Sequence, residues 1–140
     1  MLKETERPSL RDLCALMVMP TYLLAKASPE YRRFVVGFSH EVALTTESAL
    51  ALVTRHGAGG RSGQELGELL RRTLEHLNES AYRQRMDSAI RLASISMGHH
   101  ARQRNAFRGQ RGDYFVSSLI DALVGLLSAP VSAETAAVAP

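Results

Sequence analysis

The chain has 140 residues, a net charge of +3, 45% hydrophobic and 22% charged residues, and few aromatics at 6%. That length fits one domain able to bury roughly two-thirds of its unfolded surface, and the composition excludes a disordered chain. Without Trp, rich in Ala and Leu, it is helix-forming rather than β-sandwich material, and its mild positive charge falls short of a dedicated nucleic-acid binder.

The N-terminal "MLKETERPS" has no apolar h-region and does not read as a signal peptide. Ser9 with Asp12 then forms a capping-box start, followed at helical spacing by Leu10, Leu13, Cys14, Met17, Thr21 and Leu24. Pro20 deprives the Leu16 carbonyl of its hydrogen bond and predicts a kink. Ser28 as N-cap and Pro29 at the first helical position open a second segment, with Tyr31, Phe34, Val35, Phe38 and Val42 as its stripe. The adjacent Thr45 and Thr46 predict a kink or a restart.

"HGAGGRSG", residues 56 to 63, is the clearest break in the chain and reads as a flexible connection. Ser62 and Glu65 have capping-box spacing ahead of Leu66, Leu69, Leu70, Leu74 and Leu77. Asn78 caps a long fourth segment whose stripe is Tyr82, Met86, Ala89, Ile90, Ala93, Met97 and Ala101. A polar loop, 105 to 112, leads to "DYFVSSLIDALVGLLSAPV". This last segment carries apolar residues on nearly two faces, more than one core contact needs. Pro130 stops it, and residues 129–140 are expected to form a flexible tail. No alternating strand pattern occurs and no run reaches the length of a membrane span. The expectation is an all-α domain of about five helices over residues 9–128.

The candidate chemistry is sparse. Cys14 is the only cysteine, which excludes an internal disulfide, suits a reducing, cytoplasmic compartment, and reads as a small packed hydrophobe. Five histidines invite a metal, yet His99 and His100 are adjacent and point about 100° apart on a helix. No HExxH, GxSxG, Walker loop or GxGxxG is present, so no catalysis, metal or cofactor is expected. Arg102, Arg104, Arg108 and Arg111, with Phe107 and Tyr114 interleaved, suit either phosphates and bases or a solvated helix end. Met17, Met19, Met86 and Met97 suit adaptable core filling or a cavity tolerant of varied apolar shapes.

Taken together, "PSLRDLCALMVMPTYLLAKASPEYRRFVVGFSHEV", "LLRRTLEHLNESAYRQRMDSAIRLASISMGHHARQRN" and "FVSSLIDALVGLLSAPVS" resemble the C-terminal regulatory domain of the tetracycline-repressor (TetR) family of bacterial transcription factors. Their order and spacing match the family's fifth to ninth helices across residues 8 to 132. The glycine-rich 56–63 departs from that pattern; residues 1–8 resemble the tail of the family's linking helix, and the resemblance implies that the helix-turn-helix such regulators carry upstream is not part of this sequence. The resemblance implies a homodimer through the last two long helices, with Phe115, Leu119, Ala122 and Leu126 on the contact face and Gly125 allowing close approach. It also implies an apolar effector between the first, second and fourth segments, lined by Leu13, Met17, Phe34, Phe38, Met86, Ile90 and Met97, with Tyr22 or His40 as a polar contact. DNA would be reached only through the missing helix-turn-helix, and no membrane is involved. The rival readings are a stand-alone helical nucleic-acid-binding module acting through Arg102 to Arg111, and a helical enzyme or metal protein.

Overall fold

The computed structural model describes residues 7–55 and 60–140, with only the backbone of Arg55. Among them the fold is all-α, with seven helices and no strand: α1 (Leu10–Ala27), α2 (Pro29–Leu44), α3 (Ala49–Arg55), α4 (Gly60–Thr73), α5 (Glu79–Ala101), α6 (Gly109–Ser128) and α7 (Ala133–Ala137). Most of the expected linking-helix remnant, residues 1–6, and the first half of the glycine-rich connection, residues 56–59, lie outside the described residues.

The starts follow their caps. Ser9 Oγ accepts from Asp12 N at 3.1 Å while Asp12 Oδ2 accepts from Ser9 N at 3.0 Å, a reciprocal capping box. The same contacts hold the Asp12 carboxyl below its ordinary value, the Ser9 backbone N–H contributing most. Ser28 accepts from Tyr31 N ahead of Pro29, and Asn78 accepts from Ala81 N. Ser62, in contrast, lies inside α4, which already begins at Gly60, so it is not the cap that its spacing with Glu65 predicted. The threonine pair does mark a restart: α2 ends at Leu44 and α3 begins at Ala49. The segment expected to fray contains α7, capped by Ser132 and wholly exposed.

α2 packs chiefly on α5, and α1 on α6, with α5 and α6 antiparallel beside each other. Leu13, Cys14, Val18, Leu70, Leu74, Leu77, Met86, Ala89, Leu123 and Leu127 belong to one buried cluster spanning α1, α4, α5 and α6. Val42, Ala49, Leu52 and Ile90 are buried outside it, in α2, α3 and α5. α1 runs unbroken through Pro20, and both Pro20 and Leu16 are exposed. The carbonyl that proline frees therefore lies on the solvent side of the helix, where water satisfies it, and not in an interior space.

α2 turns a different face inward from the one its aromatic stripe predicted. Val35, Ser39 and Val42 are buried, whereas Phe34 is 51% exposed and Phe38 is half-buried. The cause is close approach. Gly98 on α5 sits against Ser39, where an added Cβ would overlap the serine side chain and come within 3.4 Å of the Val35 carbonyl oxygen. Only small side chains fit that contact, and the rings lie to its side, Phe34 stacked on Phe38 at 6.0 Å and tilted against Tyr31 at 5.5 Å.

Polar side chains of α5 fasten the helix ends around it. Arg91 donates to the Val42 carbonyl at 2.8 Å and the Glu47 carbonyl at 3.0 Å, and pairs with Asp87 at 2.8 Å. Asp87 in turn accepts from Ala49 N at 2.6 Å. Burial opposes ionisation of Asp87, but the Ala49 N–H and the Arg91 guanidinium together hold its carboxyl below the usual value. Arg85 donates to the Leu126, Ala129 and Pro130 carbonyls and so closes the C-terminal end of α6. Arg91→Ala is expected to cost about 2 kcal/mol in urea unfolding, because charged donors to half-buried carbonyls are lost. Arg83→Ala, at an exposed pair with Glu79, should change stability by less than about 0.5 kcal/mol. Equal losses in the two variants would show that Arg91 does not anchor the α2–α3 connection.

Candidate functional site

α5 and α6 leave a groove of about 350 Å³ between them on the surface. Leu92 and Ser96 of α5 face Ser118, Leu119 and Ala122 of α6 along it, while His100, Gln103, Arg111, Tyr114 and Phe115 form its other end. The floor is apolar and the charge is confined to that one end. α6 buries Gly112, Val116, Leu119, Ile120, Leu123 and Leu127, leaving Tyr114, Ser118, Ala122 and Gly125 exposed and Phe115 and Leu126 half-buried. Three of the four expected contact residues, Phe115, Leu119 and Ala122, thus line the groove, with Leu126 one turn beyond. Leu119 differs from the expectation in one respect: at 5% exposure it already belongs to its own chain's core, packed in the buried cluster.

The charged end is built around a turn that sequence spacing did not reveal. His100 is buried at 6% exposure, whereas its neighbour His99 is exposed, as adjacent positions on a helix require. His100 is therefore not a solvated helix-end histidine. Its Nε2 accepts from the backbone N–H of Phe107 at 3.0 Å, and its ring stacks on Phe115 at 4.1 Å, nearly parallel. Phe107 is fully buried with a φ of 64°, a left-handed conformation that costs a non-glycine residue roughly 1 kcal/mol or more. Tyr22 meets the Phe107 ring edge-on at 5.6 Å. The Tyr22 hydroxyl lies 3.0 Å from Asp113 Oδ1 and 3.4 Å from the Phe107 carbonyl, donating to the carboxylate first. Burial, then Asp113, push the Tyr22 hydroxyl above its ordinary value. Tyr22 is thus engaged by the turn, and His40 is exposed, so neither is aimed into an interior apolar space.

The seven residues expected around an effector lie partly in the core and partly in the aromatic stack of α2. Leu13, Met86 and Met97 are core residues, Met17 packs against them, and Ile90 is buried outside that cluster. Phe34 and Phe38 belong to the displaced aromatic stack of α2, for the steric reason given above. Neither the groove nor a second, polar hollow of about 230 Å³ includes any of the seven. That second hollow is lined by Arg32 of α2 with Gln103, Asn105 and Arg108 of the α5–α6 connection, which concentrates positive charge beside the turn.

Cys14 is buried, with burial pushing its thiol up to about 11, so it packs as a hydrophobe and offers no thiolate near neutral pH. Among the described residues no three His, Cys, Asp or Glu side chains gather in a way that would hold a metal, and no helix is long and apolar enough to cross a membrane. No protein-family model, no curated protein and no solved structure matches this chain.

Proposed function

We propose that the chain is the effector-sensing and dimerisation domain of a tetracycline-repressor-like regulator, and that two copies join through α5 and α6. The observation that carries this is the second face of α6, where Ala122 is exposed and Phe115 and Leu126 are half-buried, next to the half-buried Leu92 and Ser96 of α5. A Cβ added at Gly125 would meet nothing within 4 Å in the single chain, which leaves room there for a second backbone to approach. The helix order supports the same reading, since the two longest helices come late, lie antiparallel and are neighbours. A symmetric copy laid over this face would cover both helices with the same patch, as two-fold association requires. About 800 Å² per partner is the area a stable pair needs. An apolar effector would enter by displacing the unbranched Met86 and Met97 from the core, biasing two arrangements of α1 and α2 against α5.

Sedimentation velocity at micromolar concentration tests the association. The native chain is expected as a dimer and Ala122→Arg as a folded monomer, because Ala122 is exposed and an arginine there should cost the monomer less than about 0.5 kcal/mol. Leu119→Arg is the poorer probe, since it would disrupt the chain's own core. A native chain sedimenting as a monomer would remove the proposal, and a thermal-shift screen with lipophilic compounds tests its effector half.

A further inference from the structure

His100 joins two features otherwise separate, the left-handed turn at Phe107 and the end of the α5–α6 groove. Its role depends on being a neutral acceptor. With Nε2 receiving the Phe107 N–H, the ring's one proton sits on Nδ1. A second proton on Nε2 would set a donor against a donor, so the hydrogen bond must break. Nothing cationic can be welcomed there. His99 on α5 and Arg111 on α6 act on the imidazole directly, Tyr114 shares its end of the groove, and Tyr22 of α1 and Asp113 of α6 meet beside Phe107; Arg102, Arg104 and Arg108 follow in the connection, and Arg32 of α2 lines the neighbouring hollow. The single acid of that set, Asp113, is taken by Tyr22. The ring itself stacks on Phe115 at 4.1 Å and meets the tilted Phe107 ring at 4.8 Å.

We propose that His100 is an acid-released latch, which holds the Phe107 turn and the end of the groove in place when neutral and lets both go when protonated. Because Phe115 both stacks on His100 and lines the groove, release of the latch loosens the α5–α6 face and weakens pairing of two chains there. That last step rests on the dimer proposed above; the latch does not.

The sign follows from the surroundings. Burial first, then Arg111 and His99, lower the affinity of His100 for a proton below its ordinary value of 6.5. Between the lowered value and 6.5 the unfolded chain binds the proton more readily than the folded one. The latch's contribution to stability is therefore complete above 6.5, and is lost as pH falls through the lowered value.

The experiment compares the native chain with His100→Gln, whose amide oxygen can accept from Phe107 N–H but does not titrate. Exchange of the Phe107 amide, normalised to its intrinsic rate, is followed from about pH 8 to about pH 4.5, alongside sedimentation at the same pH values. Native protection at Phe107 should fall by up to about tenfold per pH unit between 6.5 and the lowered value and level off below it, and protection in His100→Gln should stay level. The dimer should dissociate over the same interval in the native chain alone. Protection independent of pH, or falling equally in both chains, would overturn the latch. If His100→Gln does not fold, titration of the native imidazole by NMR decides, since the His100 and Phe107 amide shifts must then move with one midpoint. A chain that is monomeric throughout while Phe107 still loses protection removes the dimer and leaves the latch standing.

Discussion

Phe107→Ala is expected to lower the unfolding free energy by about 3–5 kcal/mol, the range for emptying a fully buried aromatic site. The ring fills the space between Tyr22 and His100, and the backbone on either side is tied, its N–H to His100 and its carbonyl near Tyr22. α6 begins against it: a Cβ on Gly112 would lie 2.5 Å from the Phe107 carbonyl carbon, so the first turn of α6 rests on this residue's backbone. The φ of 64° adds a second expectation. Phe107→Gly loses the same ring but adopts that backbone freely, so it should be no less stable than Phe107→Ala, the reverse of the usual order by roughly 1 kcal/mol. Urea unfolding followed by circular dichroism measures both. An alanine variant within about 1.5 kcal/mol of native would mean that the turn is not a keystone of the α5–α6 connection.

Gly98→Ala is expected to cost about 2 kcal/mol or more, because its methyl group would occupy the place of the Ser39 side chain. Ser39 cannot simply rotate away. The overlap includes its Cβ, which no rotamer moves, and its Oγ is held 2.6 Å from the Val36 carbonyl. Ser39→Gly alone should cost roughly 0.5 kcal/mol through helix propensity, and the double variant should recover much of the loss. A coupling of about 1 kcal/mol or more in that cycle is the result that identifies this contact as the limit on α2–α5 spacing. Strict additivity would place the strain elsewhere.

These two sites divide what the sequence made legible from what it hid. The helix starts were readable because their signals are local: Ser9 with Asp12, Ser28 before Pro29, and Asn78 each satisfy an N–H group three residues away. The all-α class and the two-faced character of α6 were readable for the same reason, since periodicity is a property of one segment. The inward face of α2 was not, because it is set by a glycine some sixty positions later. A pairing signal did exist in small Ser39 and Gly98, but the stripe of rings at Phe34 and Phe38 outweighed it by size. His100 had a signal too. It lies three positions beyond Met97 and so on the buried stripe of α5, which sets it apart from His99. Phe107, in contrast, was one apolar residue in a polar loop, and nothing local tells an anchor from a stacking platform. Pro20 was a local signal of another kind: it sits on the solvent face, where water can replace the one hydrogen bond it removes, and α1 continues through it.

The pairing of α1 with α6 and of α2 with α5 means that the helices made first are covered by those made last. During synthesis, Leu13, Cys14 and Val18 of α1 and Val35 and Val42 of α2 emerge long before the residues that shield them. At ordinary translation rates the stretch from α1 to the end of α6 takes about 5–20 s, far longer than a helix takes to form. A nascent chain ending at α5 can seat α2 while α1 still lacks the partner that buries it. Ribosome-associated chaperones should therefore hold this chain most tightly in that interval, and release it once α6 has cleared the exit tunnel.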